Sequence, residues 1–378
     1  MKYQYKIMSR EGNDIGIIIS GGGTGGHLFP AIAIANALRR LEPRVRILFV
    51  GAEGRMEMQK VPEAGYEIEG LPVAGLVRGV SIRNISVAFR LFRSMLKSGR
   101  IIRRFAPDVV VGVGGYASGP VLKQAQQRNI PTLIQEQNSY AGVTNKLLAK
   151  KAQRICVAYE GMEKYFPAGK IMLTGNPVRH SYDNLAVLRD EALAHFSLKP
   201  DAPVILVLGG SLGAGTVNNS VSGGIGLTEA AGVQLLWQTG SHYYDRMREV
   251  VEAQAPAGVR VTGFINRMDL AYAAADVIIS RAGAGTISEL ALVGKPVILV
   301  PSPNVAEDHQ THNAMALVNR GAALLVRDAD AMTALIPAAL ELTVDTAKRS
   351  SLSENIRKMA IRDADEVIAR EVLKLVKR

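Results

Sequence analysis

The sequence predicts an α/β fold made of two Rossmann-like, doubly wound domains that face each other across a cleft. Short apolar strands alternate with helical segments along the chain, which is typical of parallel sheets joined by crossover helices. A glycine-rich turn after an apolar strand occurs twice, at residues 18–25 and 206–213. A chain of 378 residues also favours two hydrophobic cores over one.

Runs of apolar residues predict six strands in each half of the chain. They cover residues 15–20, 44–50, 109–112, 132–135, 154–157, 170–173, 204–208, 233–238, 259–262, 277–280, 297–300 and 323–326. The two domains are expected to span residues 1–176 and 177–362, and a last helix, 363–378, is expected to pack back on the first domain. Ligands should bind in the loops that follow the strands' carboxyl ends.

Composition and charge narrow the class of protein. The single cysteine, Cys156, excludes an intrachain disulfide and favours a reducing compartment. No signal peptide is predicted, and no apolar run reaches the ~18 residues that indicate a membrane span. The net charge is +11, and eight basic residues lie in an acid-free stretch between Gly70 and Pro107. A local basic patch is therefore favoured over general nucleic-acid affinity.

Residues 81–105 show the period of an amphipathic helix. Its apolar positions are Ile82, Ile85, Phe89, Phe92 and Leu96. A surface helix that packs on the core would show the same pattern. Because arginines and a lysine surround these positions and acids are absent, we expect the stretch 78–105 to bind an anionic membrane surface.

The first glycine-rich turn, residues 21–26, is followed by His27 and Pro30. Glycines let the backbone approach an anionic group, and the following helix points its first N–H groups at that group. Pro30 is expected in the first helical turn. The pattern G-x-G-x-x-G also suits a nicotinamide dinucleotide, but the second strand ends in Gly51 and Ala52 instead of an acid. We expect a polar, phosphorylated ligand with an imidazole at its edge.

Two further turns of the first half carry candidate site residues. Tyr116 lies in the glycine-rich segment 112–119 and is a candidate substrate-binding residue. Glu136 follows a strand directly and is a candidate base or orienting acid. A solvated loop carboxylate is the alternative for Glu136.

In the second half, residues 280–301 predict a strand, a loop of small residues and a helix that begins near Gly285. Glu289, expected in the first helical turn, can accept hydrogen bonds from both hydroxyls of a ribose. Thr286, Ser288 and the first N–H groups can hold a diphosphate beside it. The alternative is that Glu289 caps the helix.

Three acidic or histidine-containing segments could suggest a metal site. His309 and His312 do not form the H-E-x-x-H pattern of zinc enzymes, and His309 with Gln310 is better suited to bind a sugar. The Asp-x-Asp triplets at 328–330 and 363–365 are expected to cap helices.

These motifs fall in one order along the chain. They are GGGTGGH at 21–27, GVGGYASGP at 112–120, EQN at 136–138, AGVTNK at 141–146, GNPVR at 175–179, GGSLGA at 209–214, RAGAGTISE at 281–289 and DHQTHNA at 308–314. In this combination the sequence resembles glycosyltransferase family 28 and, within it, the N-acetylglucosaminyltransferases of peptidoglycan synthesis.

The resemblance implies a GT-B fold and inverting transfer of N-acetylglucosamine from UDP-N-acetylglucosamine to the 4-hydroxyl of the muramyl sugar of lipid I. The product would be lipid II, with a β-1,4 bond. The donor would bind mainly to the second domain, and the acceptor and membrane to the first. No cofactor, metal or nucleic acid is implied. The implied location is peripheral, on the cytoplasmic face of the bacterial inner membrane, with cell-wall synthesis proteins as partners and a role in cell shape and division.

Carried over position by position, the resemblance also implies the donor-binding residues. They are Thr24, Gly25, Gly26, Asn138, Arg179, Ser211, Ile265, Ala284, Gly285, Thr286, Ile287, Ser288, Glu289 and Gln310. Backbone near Ile265 would bind the uracil, and Glu289 would bind the ribose.

The implied reaction needs a base and a stabilised leaving group. The muramyl hydroxyl would attack the anomeric carbon opposite UDP, and a base must take its proton. His27 is the first candidate, because an imidazole titrates near neutral pH. Glu136 is the second, as base or as orienter of the acceptor. Helix N-termini near Gly285 and at the turn 21–26, with Arg179, would stabilise the diphosphate.

Three other functions remain open from the sequence. The interpretation as a nicotinamide-dependent oxidoreductase rests only on the pattern G-x-G-x-x-G at residues 21–26. A non-catalytic module would bind a nucleotide sugar or a lipid without turnover. A transferase of the same fold could act on a diacylglycerol or natural-product acceptor, since the basic apolar stretch suits any anionic lipid-linked substrate.

Overall fold

The computed structural model describes residues 14–73, 83–178, 182, 184–210, 213–305 and 308–376. The chain divides into two compact units, residues up to 179 together with those from 363 onward, and residues 180–362. Each unit contains a parallel sheet whose strands alternate with helices. The predicted class of two Rossmann-like, doubly wound domains is confirmed.

The first unit has a seven-stranded sheet in the order β3-β2-β1-β4-β5-β6-β7. Its strands are β1 (Ile15–Ser20), β2 (Val45–Ala52), β3 (Glu67–Leu71), β4 (Val109–Gly112), β5 (Thr132–Glu136), β6 (Arg154–Val157) and β7 (Ile171–Leu173). Its helices are α1 (Gly25–Leu41), α2 (Glu57–Glu63), α3 (Arg83–Phe105), α4 (Ser118–Gln127), α5 (Val143–Leu148) and, from the chain's end, α15 (Ala364–Lys374). Strand β3 was not predicted, because this edge strand carries two glutamates and little continuous apolar character.

Helix α15 completes the core of the first unit. Ile368 and Val372 are fully buried in the apolar cluster that contains β1 and α1. Glu371, only 4% exposed, pairs with Arg154 of β6 at 3.0 Å. The end of the chain is thus fastened to the first sheet by apolar burial and by an ion pair.

The second unit has a six-stranded sheet in the order β10-β9-β8-β11-β12-β13. Its strands are β8 (Val204–Leu208), β9 (Gln234–Gln238), β10 (Val259–Thr262), β11 (Val277–Ser280), β12 (Val297–Leu299) and β13 (Leu324–Leu325). Its helices are α6 (Arg189–His195), α7 (Gly215–Gly223), α8 (Ile225–Ala230), α9 (Tyr244–Gln254), α10 (Met268–Ala274), α11 (Ala284–Val293), α12 (His309–Val318), α13 (Ala331–Val344) and α14 (Thr346–Arg357). Every predicted strand of this half is present within one residue at either end.

Strand order reverses beside the first strand of each unit. Strand β1 lies between β2 and β4, and β8 lies between β9 and β11. In doubly wound folds, ligands bind at the carboxyl edge of the sheet, at the point where the strand order reverses in this way. In the first unit the glycine-rich turns after β1 and β4 lie at this point, and in the second unit the loops after β8 and β11 do. We call these two positions the crevice of the first unit and the crevice of the second unit, and ligands are expected to bind there.

At two helices the structure differs from the sequence prediction in the turn that holds a named residue. Helix α1 begins at Gly25, which places Pro30 in its second turn. Helix α11 begins at Ala284, which places Glu289 in its second turn as well. The N-cap residues, Thr24 and Gly283, make no side-chain capping bond, so the usual start signal is missing at both helices.

Candidate functional site

The second unit contains a cavity of about 180 Å³ at the carboxyl edge of its sheet. Leu208, Gln238 and Ser280, the last residues of β8, β9 and β11, line it. The other lining residues are Gly210, Phe264, Ile265, Met268, Tyr272, Arg281, Thr286 and Glu289. The structure thus brings three predicted donor-binding residues, at positions 265, 286 and 289, to one cavity at the point where strand order reverses.

Glu289 is half-buried and lines this cavity from the second turn of α11. The capping role considered for it is wrong, since helix α11 has no acidic residue in its first turn. The Tyr272 hydroxyl donates to Oε2 of Glu289 at 3.4 Å. Burial, and next the charge of Glu289, raise the pKa of Tyr272 well above its ordinary value, so the phenol remains a donor. The carboxylate is held at the cavity wall, where it suits a ligand's hydroxyl groups.

Two predicted polar residues of the second unit also make internal hydrogen bonds. Oε1 of Gln310 accepts from the N–H of Ser302 at 2.9 Å and from that of Ala282 at 3.3 Å. The Ser288 hydroxyl donates to the Ala284 carbonyl at 3.1 Å. Gln310 therefore joins two loops through its side-chain oxygen, while the proton of Ser288 is used inside helix α11.

The Asp-x-Asp triplets do not cap helices as predicted. Asp330 and Asp363 stand at N-cap positions but make no side-chain capping bond. Asp328 pairs with Arg281, and Asp365 pairs with an arginine of α1. In the described part of the chain, no group of three or more His, Cys, Asp or Glu residues is placed to hold a metal ion.

In the first unit, His27 stands in the first turn of α1 beside the glycine-rich turn. Its Nδ1 and the Thr24 hydroxyl oxygen are 3.2 Å apart. The ring also lies against the turn after β4, because a Cβ atom at Gly114 would come within 2.9 Å of Nε2. When the Thr24 oxygen accepts from Nδ1–H, the lone pair is on Nε2, and this nitrogen can take a proton.

The second glycine of the G-x-G-x-x-G pattern has a partner within the chain. The N–H of Gly23 donates to the carboxylate of Glu57 at 3.0 Å. In a dinucleotide-binding turn this close approach serves the pyrophosphate. Because Glu57 already accepts from the Gly23 N–H, this turn does not offer that N–H to a pyrophosphate, which the nicotinamide interpretation requires.

Glu136 is 1% exposed, so the alternative of a solvated loop carboxylate is wrong. Its oxygens accept from the N–H and side-chain amide of Asn138, at 3.1 and 3.3 Å, and from the N–H of Gly142 and the side-chain amide of Asn145, both at 2.9 Å. Burial raises the pKa of Glu136, and these donors oppose that rise. The carboxylate holds together the loop after β5 that contains Asn138.

Replacing Glu136 by glutamine is expected to lower the free energy of unfolding by about 2 kcal/mol, because the new amide group would face N–H donors and leave them unsatisfied. The measurement is urea unfolding followed by circular dichroism, with the exposed Glu163→Gln as control. Equal unfolding midpoints for the two variants would contradict an ionised, loop-holding Glu136.

Among the remaining predicted residues, Ile287 is buried within α11, Gly285 is the second residue of that helix, and His309 begins α12. Tyr116 is 56% exposed in the turn before α4, and Gly25 and Gly26 begin α1. Arg179 and Ser211 lie outside the described residues.

Sequence reasoning missed a buried amide network beneath the first crevice. Gln137 donates to the Val113 carbonyl at 2.8 Å, and Gln135 donates to the Asn176 side chain at 3.0 Å. Asn176 in turn donates to the Gln137 carbonyl at 3.0 Å. Two of these residues belong to the quoted motifs EQN and GNPVR, but no spacing rule could have revealed that the motifs meet.

Helix α3 exposes an apolar face in the described part of the basic stretch. The side chains of Phe89 and Phe92 are 62% and 61% exposed, and Leu91 and Leu96 are 50% and 48% exposed. Arg90 and Arg93 lie among them and are also exposed. Residues 74–82, which include Ile82, and the side chain of Ile85 lie outside the described part. No described helix has both the length and the apolar character needed to cross a bilayer.

Family models match both units. The glycosyltransferase family 28 N-terminal domain matches residues 17–157, and the glycosyltransferase family 28 C-terminal domain matches residues 204–369. The chain belongs to glycosyltransferase family 28. The family resemblance seen in the motifs is confirmed, and the chain is a glycosyltransferase.

Relatives within family 28 are similar over almost their whole length. A Bacteroides fragilis protein is 58% identical over 367 residues, which cover 97% of each chain. A Christiangramia forsetii protein is 51% identical, over 95% of this chain and 97% of its own. Both are named UDP-N-acetylglucosamine--N-acetylmuramyl-(pentapeptide) pyrophosphoryl-undecaprenol N-acetylglucosamine transferase.

Solved structures support the GT-B fold expected of family 28. Acinetobacter baumannii MurG aligns with a TM-score of 0.77 at 26% identity, over 96% of this chain and all of that chain. A UDP-GlcNAc 2-epimerase from Neisseria meningitidis aligns with a TM-score of 0.65 at 15% identity, over 96% of this chain and all of that chain. The second similarity concerns the fold alone.

Proposed function

We propose that this family 28 chain transfers N-acetylglucosamine from UDP-N-acetylglucosamine to the 4-hydroxyl of the muramyl sugar of lipid I, with inversion, to give lipid II. The observation that carries the proposal is the 58% identity to a transferase of that name, because it extends over 97% of both chains. The activity belongs to peptidoglycan synthesis at the cytoplasmic face of the bacterial inner membrane.

We assign the donor to the crevice of the second unit. The ribose is bound by Glu289 and the uracil by backbone near the buried Ile265, since both line the cavity after β8 and β11. The first N–H groups of α11, from Ala284 onward, face the diphosphate, where the helix N-terminus favours negative charge. Gln310 donates from its amide nitrogen to the sugar.

We assign the acceptor hydroxyl and its base to the crevice of the first unit. Nε2 of His27 takes the proton as the hydroxyl attacks the anomeric carbon opposite UDP. Glu136 is the weaker candidate for the base, because four hydrogen bonds already hold its oxygens. It acts instead as an orienter, through Asn138 and the loop after β5.

UDP release tests the function directly. Purified protein is mixed with UDP-N-acetylglucosamine, with and without a lipid I analogue, and UDP is measured. We expect release that depends on the muramyl acceptor. UDP binding without such release would contradict the proposed reaction and would favour a binding module or another lipid acceptor.

We further propose that the exposed face of α3 binds anionic lipid. Apolar side chains can enter the interface while arginines contact acidic headgroups. The double variant Arg90→Glu, Arg93→Glu is expected to weaken binding to phosphatidylglycerol vesicles by at least about 2 kcal/mol, or roughly 30-fold, since each lost cation is worth about 1 kcal/mol near such a surface and the added carboxylates are repelled as well. Co-sedimentation with vesicles measures the change.

The control for this experiment is Lys199→Glu, Lys348→Glu, which changes the net charge equally at exposed positions of the second unit. An equal loss of vesicle binding in both double variants would mean that net charge, and not the α3 face, drives association.

A further inference from the structure

A fully buried carboxylate lies beneath the first glycine-rich turn. Glu57, at the start of α2, is 0% exposed. Both of its oxygens lie 3.0 Å from the backbone nitrogen of Gly23, and Oε1 also accepts from the N–H of Ala52 at 3.0 Å. One side chain therefore joins the turn after β1 to the end of β2.

Glycines make room for this carboxylate. A Cβ atom at Gly22 would overlap Oε1 of Glu57, and a Cβ at Gly51 would lie 2.6 Å from its Cγ. Cβ atoms essentially never make non-bonded contacts that short, so any larger residue at either position would displace Glu57. Gly22 also has a φ of +139°, which residues other than glycine rarely adopt.

The contact continues from the turn to the imidazole. A Cβ at Gly115 would overlap the Gly22 carbonyl oxygen, so the turns after β1 and β4 are packed backbone against backbone. The neighbouring Gly114 lies against the ring of His27. A shift of Gly22 and Gly23 would therefore displace Gly115 and Gly114 in the turn after β4, and with them the His27 side chain.

We propose that Glu57 is a positioning residue for the transfer reaction. Its carboxylate accepts from the N–H of Gly23, which in a nucleotide-binding turn would face a phosphate of the ligand. It thereby holds the turn in the shape that orients His27. The proposal rests on the proposed function, since it assigns the orientation of the base of that reaction.

Full-length wild-type protein, Glu57→Gln, Glu57→Asp and Glu371→Gln are to be compared. Glu371 is a matched control, because its carboxylate is also buried in the first unit but contacts α15 and β6. Three quantities are measured at 25 °C: kcat and KM for acceptor-dependent UDP release, the UDP dissociation constant by calorimetry, and the histidine ring signals by NMR.

Glu57→Gln is expected to lower kcat by about 30- to 100-fold, since small misplacements of a reacting group cost that much. The UDP dissociation constant should rise much less than kcat falls, because most of the predicted donor-binding residues lie in the second unit and only Thr24, Gly25 and Gly26 directly follow Gly23. The His27 ring signal should move while those of His195 and His242 do not. Glu57→Asp keeps the charge and should recover several-fold of the lost kcat, and Glu371→Gln should leave kcat unchanged.

The proposal is overturned by an unchanged kcat in Glu57→Gln, or by a parallel loss of UDP affinity. It is also overturned if both Glu57 variants are unfolded at 25 °C, because the carboxylate would then serve the fold. If the wild-type protein itself shows no acceptor-dependent release, the proposed function fails. The His27 signal in Glu57→Gln then still decides whether Glu57 orients the ring.

Discussion

Replacing His27 by asparagine is expected to lower kcat for acceptor-dependent UDP release by about 10²- to 10⁴-fold, the usual contribution of a positioned general base. Asparagine retains a polar group near Thr24 but offers no nitrogen that takes a proton at neutral pH. Affinity for UDP should change much less than kcat, because most of the predicted donor-binding residues lie in the second unit, around the cavity after β8 and β11.

The pH dependence separates a base from a merely positioning group. If His27 takes the proton, the variant's residual rate should rise with hydroxide concentration, while the wild-type rate levels off once the imidazole is neutral. His195→Asn in the second unit is the control and should behave as wild type. Near-normal turnover in His27→Asn, with intact UDP binding, would show that His27 is not the base and would favour Glu136 in that role.

Replacing Glu289 by glutamine is expected to weaken UDP binding by about 2 kcal/mol, or roughly 30-fold, because a hydrogen bond to a charged group is worth about 1.5–3 kcal/mol. Glutamine has nearly the same size, and the Tyr272 hydroxyl can still donate to its oxygen, so the cavity should keep its shape. The exposed Glu249→Gln on α9 is the control for a lost carboxylate in the same unit.

A double-mutant cycle assigns this loss to the ribose. Uridine diphosphate and its 2′,3′-dideoxy analogue are each titrated into the wild-type protein and into Glu289→Gln. If the carboxylate binds the ribose hydroxyls, their removal should weaken binding to the wild-type protein and cost the variant little. Additive losses would show that Glu289 acts elsewhere in the cavity.

Most of the secondary structure could be predicted because buried parallel strands are continuous apolar runs. The edge strand β3 was missed since its two glutamates interrupt that pattern. Helix α1 was predicted to begin too late, because its start has no side-chain cap, whereas the start of α11 was predicted within one residue. The motifs around His27 and Glu289 were found from the sequence, since glycine-rich turns and a following polar residue are close together along the chain.

The roles of carboxylates could not be predicted in this way. Glu53 and Glu57 are four residues apart after the same strand, yet Glu53 forms an ion pair with Lys97 near the surface and Glu57 is fully buried. Glu136 was expected either in solvent or in catalysis, and the structure surrounds it with donors from the loop that follows it and from α5.

The sequence by itself determined the family, the parallel α/β class and the positions of the ligand-binding turns, because these depend on residues that are adjacent in the chain. Only the tertiary structure decided which polar groups meet. The Gly23–Glu57, Gln135–Asn176 and Tyr272–Glu289 pairs are 34, 41 and 17 residues apart in sequence. Burial and hydrogen bonding depend on distance in space, and the order of strands in each sheet sets that distance.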